Sequence, residues 1–449
     1  MSRTTQIFCA SSPYGLATLA AAIESGCFAD AERRVLLVCD DSAVPEGAPS
    51  LDEMPGFAPL RDRFDDVLSW NEAIAPFHPA AWTPRPADVP LLERHLRRLW
   101  GLGDDRVELV LESVAVAPAL AVAQVFTGAP VHVHADGLMS YGPTRARLDP
   151  LVGTRVRQVL HPDLVPGLAP LLLTEFGVPA RVVPADAFRR VVGELSEAVG
   201  GLSEAAGGLP GLPDGAALLV GQCLSGLGVL SADEEDGLHA RMLRGAVERG
   251  HRAVVFKPHP LAPLRHGRVL AAEAERLGVD LTVVDTPVPA EVLFERSRPA
   301  LVVGCFSTAL FTASALYGLP VARTGTERVL ERLTPYQNGD RVPAVLADAL
   351  LPPLEPGGGS AVPADELDDL VATLGFTMQP QIHPSLRPVA ERYLARRFGP
   401  RTRHWFKRKR LTSLGLPGGI PKRLAFLPRS AAARRVVRRA RTLRKAVRR

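Results

Sequence analysis

Short, nearly continuous apolar runs recur along the chain, each followed by small or breaking residues and then by a stretch with helical periodicity. Residues 6–10 (QIFCA) form the first run, the turn Ser11-Ser12-Pro13-Tyr14-Gly15 follows, and an Ala- and Leu-rich helix is predicted over 16–24. Residues 34–39 (RVLLVC) are apolar at every position after the first, as expected of a strand covered on both faces of a parallel sheet. A third unit over 63–70, continuing through Trp82, is crowded by prolines. A helix is predicted over 91–100, a strand over 107–111 ending in Glu112-Ser113, a helix over 118–126, and a strand over 131–134 that stops at Ala135-Asp136-Gly137.

Between 193 and 215 the sequence turns to Gly, Ser, Glu and Pro, the composition of a linker. A second series of strand and helix patterns begins beyond it. Strand 217–220 leads into Gly221-Gln222-Cys223-Leu224-Ser225-Gly226 and a helix over 232–249. Strands over 254–256, 280–284 and 300–303 alternate with helices over 268–277, 290–296 and 309–317, and a last helix is expected over 383–397. The alternation predicts an α/β protein of two parallel-sheet domains, 1–205 and 206–400, followed by a tail over 401–449.

Charge sharpens that division. From 396 onward there are 20 of the 53 Lys and Arg and no Asp or Glu, which leaves 33 basic against 48 acidic residues, a net of −15, in the body. Within the tail, Val436, Ala440, Leu443 and Val447 form a narrow helical stripe among arginines, a pattern that suits an anionic membrane surface. Aromatic residues are too sparse there for a nucleic-acid stacking platform, so no nucleic-acid partner is expected. The five cysteines lack CxxC or metal-ligand spacing, and no signal peptide or long apolar span is evident, so a cytoplasmic protein is expected, peripheral on the membrane through its tail. No Gly-x-Gly-x-x-Gly follows the first strand, which argues against a dinucleotide site there.

Candidate chemistry gathers at strand ends. Residues 254–260 (VVFKPHP) pass from a buried strand straight into a cation, a proline, a histidine and a second proline. The prolines stiffen the loop that carries Lys257 and His259 at the carboxyl end of the strand, where open parallel sheets bind ligands. Of the four His-Pro pairs, at His78, His161, His259 and His383, only His259 is expected to follow a strand; His161 and His383 are expected to precede helices. Ser307 and Thr308 precede a helix and are placed either as a simple N-cap or as a phosphate site, on a strand next to that of Lys257. Asp136-Gly137 is either a turn or a carboxylate at the cleft. Glu235-Asp236-Gly237 follows the capping box Ser231-x-x-Glu234 and is assigned to a surface helix.

With these stretches placed, the sequence resembles the bacterial polysialyltransferase family of glycosyltransferases, and more loosely other bacterial sialyltransferases. The resemblance covers about residues 5–400 and rests on QIFCASSPYGLATLAAAI, Asp136-Gly137, the His259-Pro260 pair within FKPHP, and Ser307-Thr308. It implies a GT-B-like fold of two Rossmann-type domains facing a cleft, a CMP-sialic acid donor held mainly by the C-terminal domain, and metal-independent inversion. Asp136 is then the base that deprotonates the acceptor glycan, and His259 meets the donor phosphate. Gln222, Lys257, Pro260, Ser307, Thr308 and Gly137 surround the donor. The family's usual pair of acidic residues before glycine is Ala135-Asp136 here, so the base is Asp136 or another carboxylate such as Glu112. The alternatives are a CMP-Kdo or CDP-alcohol donor, or a catalytically silent nucleotide-sugar-binding protein.

Overall fold

The structure is a computed structural model that describes residues 3–42, 44–47, 50–135, 137–355 and 362–420. Seven parallel strands form the first sheet: β1 (Thr4–Ala10), β2 (Arg33–Val38), β3 (Asp66–Ser69), β4 (Arg106–Glu112), β5 (Val131–His134), β6 (Val156–Pro162) and β7 (Ala180–Val183). Five more form the second: β8 (Ala217–Val220), β9 (Ala253–Lys257), β10 (Asp280–Val283), β11 (Leu301–Gly304) and β12 (Val321–Arg323). The spatial orders are β3-β2-β1-β4-β5-β6-β7 and β10-β9-β8-β11-β12, with all pairs parallel. Each sheet therefore reverses its direction of growth beside its first strand, at β1/β4 and at β8/β11. Those reversals leave crevices at the carboxyl ends, where doubly wound sheets take their ligands.

Alternation within β1 shows why both faces must be covered. Ile7 and Cys9 join the apolar cluster on one side, and Phe8 and Ala10 the cluster on the other. The second of these clusters continues into the other domain. Its bridge is the helix Ala185–Gly200, which buries Phe188, Val191, Val192, Leu195 and Val199 and packs on both Pro13–Glu24 and Ala290–Ser297. Residues 193–200, expected to open the linker, are thus helical: one apolar stripe outweighs their Gly and Glu content.

Strands β6 and β7 were not anticipated, and β6 changes the standing of one histidine. His161 does not precede a helix; with Pro162 it closes β6, buried, its Nδ1 3.1 Å from the Pro162 carbonyl. Beyond the second sheet, the helix Leu367–Met378 and its neighbours return to the first domain, with the Gln379 amide donating to the Arg145 carbonyl at 2.5 Å. Residues 401–420, expected as the start of a basic tail, are packed into the body. Trp405 and Phe406 are buried, and Asp348 accepts from Trp405 Nε1 at 2.8 Å and lies 2.6 Å from His404 Nε2. The amphipathic stripe from Val436 to Val447 lies outside the described residues. Among the described residues no helix is long and apolar enough to cross a membrane.

Candidate active site

A cavity of about 390 Å³ opens where the carboxyl edges of the two sheets face each other. From the second domain it is lined by Gln222, Lys257, His259, Pro260, Glu291, Ser307 and Thr308; from the first, by Ser12, Tyr14, Leu138 and Met139. Six residues expected from the sequence therefore converge. The convergence follows from topology, because β9, β8 and β11 end side by side. Lys257 and Ser307 do not lie on neighbouring strands as expected, since β8 runs between β9 and β11; the loop after β8 fills the gap and contributes Gln222. Its Oε1 accepts the Phe306 N–H at 3.0 Å, which joins the two loops.

Lys257 is the last residue of β9 and only 5 % exposed. Burial pulls its ammonium down to about 8, with the Asp285 carboxylate acting in the opposite direction. His259 stands two residues on, accessible at the cleft. Desolvation lowers its pKa first and the Lys257 charge second, while Glu235 pulls it up. The Leu261 N–H donates to Nδ1 at 3.1 Å, so the neutral ring carries its proton on Nε2 and keeps that nitrogen as a donor. Ser307 caps the helix Thr308–Tyr317, its hydroxyl oxygen accepting from the Ala309 N–H at 3.3 Å. The cap is real, worth ~1 kcal/mol, and it leaves the hydroxyl proton and the helix N-terminus facing the cavity.

The two domains touch where the acidic-glycine turn meets that helix. Gly137 has φ of +51°, and a Cβ on it would overlap the Thr308 side chain. Glycine is needed there for close approach of the domains, and Gly137 itself is not among the cavity's lining residues. Asp136 lies outside the described residues. Its predecessor Ala135 is buried, its N–H bonded to the Leu160 carbonyl at 2.9 Å.

Glu112 occupies a separate cavity of about 240 Å³ at the end of β4, lined also by Ser11, Asp41 and Arg145. One of its oxygens accepts from the Ser11 N–H at 3.1 Å and from the Ser11 hydroxyl at 2.6 Å. Burial raises its pKa against those two bonds, and the Asp41 charge adds to the rise. Ser11 lines this cavity and Ser12 the larger one, so a single turn after β1 separates them.

Glu291 joins the site without any motif in the sequence to mark it. It sits in the first turn of the helix Ala290–Ser297, 2 % exposed, with Oε1 unpartnered at the cavity wall. Burial raises its pKa to about 7, opposed by a backbone N–H and the Thr312 hydroxyl. A buried carboxylate oxygen without a partner is costly unless a ligand donor satisfies it. The only sequence signal was its position just past the end of β10, behind Pro287 and Pro289.

Two parallel-sheet domains of Rossmann order, facing each other across a cleft that carries a lysine, a histidine and a helix N-terminus, make an α/β protein of the GT-B type. The sequence matches the family described as alpha-2,8-polysialyltransferase (POLYST) over residues 6–326, and the chain belongs to that family. It is a glycosyltransferase. No curated protein matches the sequence. Among solved structures, the chain is similar to MurG from Acinetobacter baumannii, with 13% identity, TM-score 0.39, and 87% of this chain and 95% of that chain covered. It is also similar to the GT-B domain of a sialyltransferase from Photobacterium damselae, with 12% identity, TM-score 0.38, and 76% and 95% covered. A UDP-GlcNAc 2-epimerase from Methanocaldococcus jannaschii overlaps at 11% identity and TM-score 0.40, with 77% and 99% covered.

Proposed function

We propose that this glycosyltransferase moves sialic acid, or a related acidic sugar, from a CMP-activated donor to a hydroxyl of a glycan in surface polysaccharide synthesis, with inversion and without a metal. The observation that carries the reading is the meeting of Lys257, His259 and the Ser307-Thr308 helix end in one interdomain cavity. A CMP-sugar breaks its glycosidic bond through an oxocarbenium-like state, and negative charge grows on the departing phosphate. Lys257 and the helix N-terminus stabilise that charge, and His259 Nε2–H donates to a phosphate oxygen. Glu291 accepts hydrogen bonds from the ribose hydroxyls. The acceptor hydroxyl arrives from the first domain and gives its proton to Asp136. Glu112 is the second candidate for that proton, favoured by its burial and by the Ser11 bonds that hold it in place. The basic residues beyond 420 bring the enzyme to the cytoplasmic face of an anionic membrane, where the acceptor is made.

Turnover with CMP-sialic acid, CMP-Kdo and UDP-sugars over a set of oligosaccharide acceptors tests the proposal, with the anomeric configuration of the product read by NMR. Release of CMP with an inverted product from CMP-sialic acid is expected. Turnover from UDP-sugars alone, or a retained configuration, contradicts it.

A further inference from the structure

We infer that Glu235 is a positioning residue of the donor site, its carboxylate fixing the loop 221–226 that walls the cavity; the inference rests on the donor reading above. The sequence placed Glu235 and Asp236 on a surface helix behind a capping box. The capping box is present, and Glu234 serves it, accepting the Ser231 N–H at 3.0 Å while Arg328 and Arg332 hold its other oxygen. The next two residues turn inward. Glu235 is fully buried and Asp236 nearly so.

Both oxygens of Glu235 are spent on the loop: Oε1 accepts the Leu224 N–H and Oε2 the Ser225 N–H, each at 2.8 Å. Behind it lies His266, itself buried, with Nε2 3.4 Å from Glu235 Oε2 and Nδ1 2.5 Å from Asp236 Oδ1. Arg265 donates to the far oxygen of Asp236 at 2.6 Å, so acidic and basic groups alternate from the loop to the surface. His239 fills the remaining space, edge-on to His266 at 5.3 Å and tilted on Phe256 at 5.0 Å. Phe256 presses in turn on the start of the loop, where a Cβ at Gly221 would come within 3.2 Å of its ring.

At its cavity side the loop is tied to the next strand end through Gln222 and the Phe306 N–H. Displacing Leu224 and Ser225 therefore shifts Gln222, and through it the backbone that leads into Ser307. A buried carboxylate that served packing alone would be replaceable by an apolar residue; here two backbone donors of a ligand-facing loop depend on it. None of these groups reaches the reacting atoms, so the role is positional.

The test compares Glu235→Gln and His266→Asn with Glu234→Gln, a control on the same helical turn, in the full-length enzyme. Glutamine keeps the size of Glu235 but offers an amide N–H₂ to one of the two loop N–H groups. Donor KM and the CMP Kd are expected to rise about 10-fold in Glu235→Gln, with acceptor KM within about two-fold of wild type. His266→Asn should move the same two constants in the same direction, and Glu234→Gln should leave them unchanged. A mere fold defect lowers kcat by removing active molecules and leaves both KM values in place. That pattern, or a donor KM unmoved in both Glu235→Gln and His266→Asn, overturns the inference; if Glu235→Gln does not fold, His266→Asn decides alone. His259→Ala is titrated with CMP in parallel. If it binds CMP as wild type does, the donor reading falls and the inference with it, whereas weakened binding there beside normal binding in Glu235→Gln removes the inference alone.

Discussion

Lys257 is expected to cost the ligand-free protein stability. Its ordinary pKa of 10.5 falls to about 8 in the fold because the ammonium is buried at the end of β9, with Asp285 supplying only partial compensation. The displacement is roughly 2.5 pH units, and at ~1.36 kcal/mol per unit the charged side chain costs the fold about 3 kcal/mol at pH 7. The folded value lies below the unfolded one, so the fold disfavours the charged form. The cost is fully present below pH 8 and fades as pH rises toward 10.5. Lys257→Met keeps an unbranched apolar stem and removes the charge. The variant should be more stable than wild type at pH 7 by up to ~3 kcal/mol, less whatever Asp285 loses with its neighbour, and the advantage should shrink between pH 8 and 10. Urea denaturation at pH 7, 8, 9 and 10 measures this, and calorimetry with CMP should show the stabilised variant binding more weakly. A variant no more stable at pH 7, or equally advantaged at every pH, would refute the view that burial, awaiting an anionic ligand, lowers this ammonium.

Gly137→Ala forces a Cβ into Thr308 at positive φ, and a loss of about 1 to 3 kcal/mol in thermal denaturation should accompany a larger drop in turnover. Glu291→Gln should narrow the affinity gap between CMP and 2′-deoxy-CMP to within about two-fold. Because the Glu291 pKa is raised, its carboxylate costs stability once pH passes from 4.5 through about 7, so the glutamine variant should gain stability at pH 8 and not at pH 4. Asp136→Asn and Glu112→Gln separate the two candidate bases: the one that carries the proton should lose about 10² to 10⁴ in kcat with donor affinity intact, and the other far less.

The strand ends of the second domain that build the cavity were legible because β8, β9 and β11 are apolar over most of their length and stop at breakers, and the residues after each run are then at the cleft by topology. β6 escaped because Arg157 and Gln158 interrupt its pattern, and β7 because three of its four residues are exposed. Glu291 carries no motif, since its meaning lies in one buried oxygen left without a partner, which is a property of packing. Glu235 was misplaced for a related reason. The capping box fixes where the helix begins, and at 100° per residue the position after the half-buried Glu234 already faces inward. The tail's membrane pattern falls beyond residue 420 and outside the described residues.

Calorimetric titration of the purified enzyme reads out whether the interdomain cavity binds a cytidine nucleotide through its phosphate. CMP, CMP-sialic acid, CMP-Kdo, CDP-glycerol, UDP-sugars and NAD are titrated into wild type and His259→Ala. Binding of the CMP compounds, weakened about 10-fold or more by the substitution, is the expected result. Binding of UDP-sugars alone, or of cytidine nucleotides with equal affinity in both proteins, contradicts it.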